Sequence, residues 1–201
     1  LVSNRSGAVL TGLYVILFTA TVDNQLLIPL LPRLREDLAT DVSVLGLLFS
    51  VYALTATAAN LVLGPLSDGK GRLGFLRAGI LLLAGTSIAT QFCGSFRELL
   101  VLRGAAGIAG GVLSVSASAL VGDWFSYRKR GRAVGVLLSG HFAALIFGIP
   151  ISVQLAERFR WQAGFLGIAV LALPALLFSL LAFPARQRKS SGSTEGWVSY
   201  R

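Results

Sequence analysis

The chain has 201 residues, of which 54% are apolar and 13% charged, with a formal net charge of +9 and a mean hydropathy of +0.74. An ordinary soluble domain is about 45–50% apolar and about 25% charged, so the composition excludes that class and points to a protein that folds in a bilayer. The single cysteine, Cys93, excludes an intramolecular disulfide, and the basic residues sit in short breaks between apolar runs, which argues for membrane topology and against a nucleic-acid partner.

Six apolar segments of about 20 residues are read at 8–31, 43–66, 75–93, 99–125, 133–155 and 163–183, each long enough to cross a ~30 Å hydrocarbon core at ~1.5 Å per residue. They predict an all-α, polytopic membrane protein, lipid-solvated, with a six-helix bundle over residues 1–185 and a basic, Ser/Gly-rich tail at 186–201. The first segment is too long for the apolar region of a signal peptide. The chain starts at Leu1 and contains no methionine, so an N-terminus further upstream is expected.

The first segment carries Asp23, Asn24 and Gln25 within apolar sequence, followed by Pro29 and Pro32. A carboxylate in a bilayer is costly, so Asp23 is expected to face the bundle interior, water or a partner; an interhelical hydrogen-bond cluster is the structural alternative. The second segment is rich in small residues from Ala53 to Ala59, carries Asn60, and ends in Gly64-Pro65-Leu66-Ser67-Asp68-Gly69-Lys70-Gly71-Arg72, read as a tight, charged loop. In the fourth, Arg103 precedes a glycine-rich run in which Gly107 and Gly111 have the G-x-x-x-G spacing that lets helix backbones approach. Counted from the outer ends of their helices, Arg103 and Asp23 differ in depth by only ~5 Å and can pair; otherwise Arg103 snorkels to the surface. The fifth segment holds the only histidine, His141, a candidate proton site or interhelical hydrogen-bonding group, and Gly140, Gly148 and Pro150, which should soften or kink it.

Lys70, Arg72 and Arg77, then Arg128, Lys129, Arg130 and Arg132, then Arg186, Arg188 and Lys189 mark one side as cytoplasmic by the positive-inside rule. Both termini are expected there, in a plasma or inner membrane. There is no Cys/His ligand spacing, nucleophile elbow or Walker-type loop, so neither enzymatic activity nor a cofactor is expected.

The stretch Gly64-x-Leu66-x-Asp68-x-x-Gly71-Arg72 resembles the major facilitator superfamily signature G-x-L-x-D-x-x-G-R, with Gly69 replacing the usual arginine and Leu73 the second basic residue. Arg103-x-x-x-Gly107-x-x-x-Gly111 is similar to the family's second signature, with Ala106 at its common glutamine, and Asp23, nine residues before Pro32, resembles the D-x(8)-P pattern of many drug and metabolite exporters. Asp123 with Arg130-Gly131-Arg132 resembles the junction of the family's fourth and fifth helices, and Trp161 with Phe165 the opening of the sixth. The resemblance covers residues 8–184. Gly148-Ile149-Pro150 is followed by Ser152 and Val153, not by the two glycines common in proton-driven exporters, a departure that weakens an antiport assignment.

The resemblance implies two inverted three-helix repeats forming one half of a twelve-helix fold, with the second half supplied by the same longer chain or by a second subunit. The tail falls where the family's central linker would begin. It further implies a secondary active transporter moving a small organic solute by alternating access, with proton-coupled export expected; the alternative is a non-transporting structural or assembly subunit of a larger membrane complex. Asp23, Asn24, Gln25, Asn60, Arg103 and His141 are the expected substrate and proton pathway. Gly64, Asp68, Gly71, Arg72, Asp123 and Arg132 are expected to form a conformational latch, and Gly107, Gly111, Gly148 and Pro150 to serve helix packing.

Overall fold

The structure, a computed structural model, describes residues 2–182; the side chains at 2–6, 68, 70, 181 and 182 lie outside that description, as do residues 183–201 with the basic tail. The described residues form helices only: α1 (Val2–Gln25), α2 (Leu27–Asp37), α3 (Val42–Lys70), α4 (Arg72–Ala89), α5 (Phe96–Trp124), α6 (Tyr127–Ala143), α7 (Ile149–Arg158) and α8 (Ala163–Ala182). A 3₁₀ turn at Thr90–Phe92 extends α4, and a π-helical turn at Ala144–Gly148 joins α6 to α7. Among the described residues, six stretches are long and apolar enough to cross a membrane: Gly7–Asp37, Val42–Ser67, Arg72–Phe92, Phe96–Trp124, Tyr127–Arg158 and Ala163–Leu180. The protein is an integral membrane protein.

Prolines explain where these segments depart from regular α-helical bonding. Pro29 has no N–H for the carbonyl of Gln25, and the first segment is interrupted at Leu26, between α1 and α2. Pro150 likewise has no N–H for Ile146, and the π-helical turn lies immediately ahead of it, widening the helix where the proline ring would clash.

The stretch from Gly64 to Arg72, expected as a loop, is helical. α3 continues through Pro65 to Lys70 and α4 begins at Arg72, leaving Gly71 alone as the turn, with φ of 108°. A membrane helix satisfies its own backbone for as long as it can, and the reversal falls on a glycine, which has no Cβ to obstruct that conformation.

α5 lies at the centre of the bundle, with α3 on one side and α4 on the other; α1 packs on α5, α6 and α8. The α3–α5 contact is backbone against backbone. A Cβ at Gly107 would lie 2.4 Å from the Tyr52 carbonyl oxygen, and one at Gly111 would lie 2.5 Å from that of Ala56. On the far side of the bundle a Cβ at Gly148 would lie 2.4 Å from Val22 Cγ2, so the π-helical turn packs directly on α1 next to Asp23. By contrast α3 and the α6–α7 segment expose long apolar faces, with Leu54, Leu61, Phe147 and Ile151 uncovered.

The two ends of the bundle are defined by contacts. Arg72 reaches Asp123 and Arg77 reaches the Ser179 carbonyl, which gathers the α3–α4 turn, the end of α5 and the end of α8 at one end. At the other, Arg33 Nη1 donates to the Ala156 carbonyl (2.5 Å) and Gln91 Nε2 to that of Gln162 (2.7 Å).

Candidate functional site

Asp23 and Arg103 form a bidentate ion pair. Arg103 Nη2 donates to Asp23 Oδ1 at 3.0 Å, and Nη1 donates to Oδ2 at 3.3 Å and to the Asp23 backbone carbonyl at 3.2 Å. Asp23 is 0% and Arg103 1% exposed, so the guanidinium does not snorkel. That third bond lands three residues before the interruption at Leu26, so Arg103 holds the end of α1 through its backbone as well as through the carboxylate.

Two aromatic rings flank the guanidinium. Its Cζ lies 4.9 Å from the Phe165 ring centroid and 5.9 Å from that of Tyr52, both within cation–π range. Phe165 is held edge-on against Trp161, the ring centroids 6.3 Å apart. Four elements therefore converge here: α1 supplies the acid, α5 the base, α3 and α8 the rings. Arg103 Nε is buried with no hydrogen-bond partner among the described residues. Two charges in low dielectric hold one another through good geometry, and removing either leaves the other stranded.

The other expected site residues are dispersed. Asn24 is exposed and Gln25 half-buried. His141, half-buried on α6, shares a 3.1 Å hydrogen bond through Nδ1 with Thr21 Oγ1 on α1, two residues from Asp23 but on another face. Asn60 lies ~12 Å along α3 from Tyr52 at ~1.5 Å per residue, with a buried Oδ1 that has no partner among the described residues. The structure thus brings Asp23 and Arg103 together and leaves Asn24, Gln25, Asn60 and His141 apart from them.

At the opposite end Arg72 Nη1 meets Asp123 Oδ2 at 2.5 Å and donates to the Ala119 carbonyl at 3.2 Å. The Arg72 side chain is 25% exposed and that of Asp123 47%. The Asp68 side chain lies outside the described residues. Gly64 faces Val115 with ordinary van der Waals room, 3.5 Å from a notional Cβ, so no close approach depends on it. Arg132 is exposed and has no ion pair among the described residues; the arginine that closes this junction is Arg130, which donates through Nε to the Phe125 carbonyl (3.1 Å) and through Nη2 to the Gly122 carbonyl (2.7 Å). Gly122 lies in the last turn of α5 and Phe125 directly follows it, so the cation sits at the negative end of that helix.

Sequence reasoning missed Tyr52, Thr21 and the roles of Phe165 and Arg130. The one signal for Tyr52 was its position as the large aromatic next to a run of small residues on α3.

The site and fold define a six-segment membrane helical bundle built around a buried charge pair, and comparison with known proteins places that class. The sequence matches the profile of the Major Facilitator Superfamily over residues 13–199, and the chain belongs to that family. It is 32% identical to the MFS-type transporter YwfA of Bacillus subtilis (strain 168) over 72% of this chain and 35% of that protein. It is 25% identical to the multidrug transporter protein MdtP of the same organism, over 89% of this chain and 33% of that one. The crystal structure of a bacterial homologue of the human lysosomal transporter Spinster, inward-facing and unoccupied, matches with a TM-score of 0.76 at 15% identity, covering 97% of this chain and 46% of the other. The chain spans about a third of the length of these curated relatives. Family and relatives are transporters, not enzymes.

Proposed function

We propose that this chain forms one six-helix half of a secondary transporter that moves a small organic solute by alternating access, and that Asp23 is its proton-accepting group. The observation that carries this reading is the bidentate Asp23–Arg103 pair, fully buried where α1 is interrupted. Protonating Asp23 removes the charge that holds Arg103 and releases the end of α1 from α5. The change is all-or-none because a half-paired buried charge is costly. Asn60, His141, Asn24 and Gln25 are candidate polar contacts for the solute on faces turned towards a second half, whose place is the exposed apolar surface of α3 and α6–α7.

The Arg72–Asp123 contact serves as a latch at the other end. That end is cytoplasmic by its basic residues, with both termini on the same side. The name of the multidrug relative MdtP supports transport of an organic solute.

The test is infrared titration of the reconstituted protein together with proton-driven flux of ethidium in vesicles. A protonated-carboxyl band that rises as pH falls and disappears in Asp23→Asn, with loss of flux, is expected. A band and a flux unchanged by Asp23→Asn would remove Asp23 from the proton pathway.

A further inference from the structure

The basic segment that opens α6 is the feature the transport reading leaves unused. Of its four cations, Arg130 turns back to cap the last carbonyls of α5. Arg128, Lys129 and Arg132 stay exposed, with no ion pair among the described residues. At positions i, i+1 and i+4 of one helix these three share a face. The described acid at this end, Asp123, is already held by Arg72.

Two further observations give the face its depth and direction. Tyr127, the first residue of α6 and of a membrane-spanning stretch, is 87% exposed, with Trp124 and Phe125 half-buried just before it. Such a ring belongs at the headgroup level. Ser126 makes no side-chain cap on α6, so the positive end of a 17-residue helix points the same way as the three cations.

From this geometry we infer that Arg128, Lys129 and Arg132, with the start of α6, form a docking surface for anionic phospholipid headgroups of the adjoining leaflet. The cations and the uncapped helix end meet the phosphate and its negative headgroup, while Tyr127 rests among the ester groups. A cation beside an anionic leaflet strengthens association about fivefold, so three on one face distinguish a charged lipid from a zwitterionic one.

The experiment places the purified full chain in nanodiscs of phosphatidylcholine with a minor fraction of phosphatidylglycerol, and native mass spectrometry reads the lipids that leave with the protein. Phosphatidylglycerol should be enriched at least about fivefold over its share of the disc, and salt of ~1 M should abolish the enrichment. R128Q/K129Q/R132Q should carry lipids in the bulk ratio, whereas R128K/R132K keeps the enrichment and so does R97Q, which removes an exposed cation at the other end. If the triple variant does not fold, R132Q alone should reduce the enrichment severalfold. The inference is overturned if R132Q or the triple variant retains full enrichment, if R97Q loses as much, or if inorganic phosphate displaces the lipid, which would mark a free-anion site instead.

Discussion

Breaking the buried pair from either side should be far more damaging than replacing it whole. Arg103 directs three donor contacts to Asp23 and is otherwise surrounded by Tyr52 and Phe165, with 1% of its surface exposed. Asp23→Leu leaves a guanidinium in an apolar slot, and Arg103→Met leaves a carboxylate there. Each should cost ~3–5 kcal/mol, the usual consequence of stranding one partner of a buried pair. For a chain of this size ~2–4 °C of melting temperature accompanies each kcal/mol, so each variant should melt ~6–20 °C lower. The double replacement puts methionine between the two rings and leucine beside it, with no charge to desolvate, and should cost less than either single one, so that the two single losses are strongly non-additive in the cycle. Thermal unfolding in detergent, followed by size-exclusion elution of a fluorescent fusion, measures all four proteins. Single variants that cost less than ~1 kcal/mol, or a double variant equal to the sum of the singles, would refute the reasoning, because either outcome means the charges are solvated.

Other expectations follow from the packing and the turns. Gly107→Ala places a methyl against the Tyr52 backbone and should lower stability by ~1–3 kcal/mol, whereas Gly85→Ala, with nothing within 4 Å of its Cβ, should change the same melting curve little. Ala39, between α2 and α3, has φ of 46°, a left-handed conformation that favours glycine; Ala39→Gly should raise stability by ~0.5–1 kcal/mol, and a lower melting temperature would contradict this. The Arg72–Asp123 pair is partly exposed, so Asp123→Asn should cost less than ~1 kcal/mol in melting experiments yet shift the pattern of cysteine accessibility at the two ends; unaltered labelling would sink the latch.

The parts legible in the sequence are those with few physical alternatives. Stretches of about 20 apolar residues have one common fate, so the six membrane segments could be read directly. Asp23 and Arg103 could be matched because charges at similar depth in a bilayer have little else to meet. What escaped has several fates of similar cost. Glycine, proline and charge from Gly64 to Arg72 read as a loop by the habits of soluble proteins, yet in a membrane the helix persists to Lys70 and yields only at Gly71. Tyr52 offered only its place beside small residues and Phe165 only its place in the family resemblance, since an aromatic ring in an apolar helix looks alike whether it faces lipid, core or a cation. Arg130 rather than Arg132 closes the end of α5 because α6 starts at Tyr127, and a shift of two positions turns a side chain to the opposite face of a helix.

The two charged contacts differ in what they can do to a conformational equilibrium, and the difference follows from burial. The Arg72–Asp123 pair, open to water, is worth ~0–1 kcal/mol, and 1 kcal/mol changes a population ratio only about fivefold. It can bias a resting state without resisting a ligand that favours the other. The Asp23–Arg103 pair, at 0% and 1% exposure, costs ~3–5 kcal/mol to break while both groups are charged, enough to hold one arrangement almost exclusively. Heat alone rarely opens such a pair; neutralising the acid does. In the proposed cycle, then, the exposed contact sets the balance between the two arrangements and the buried one makes passage between them depend on a proton.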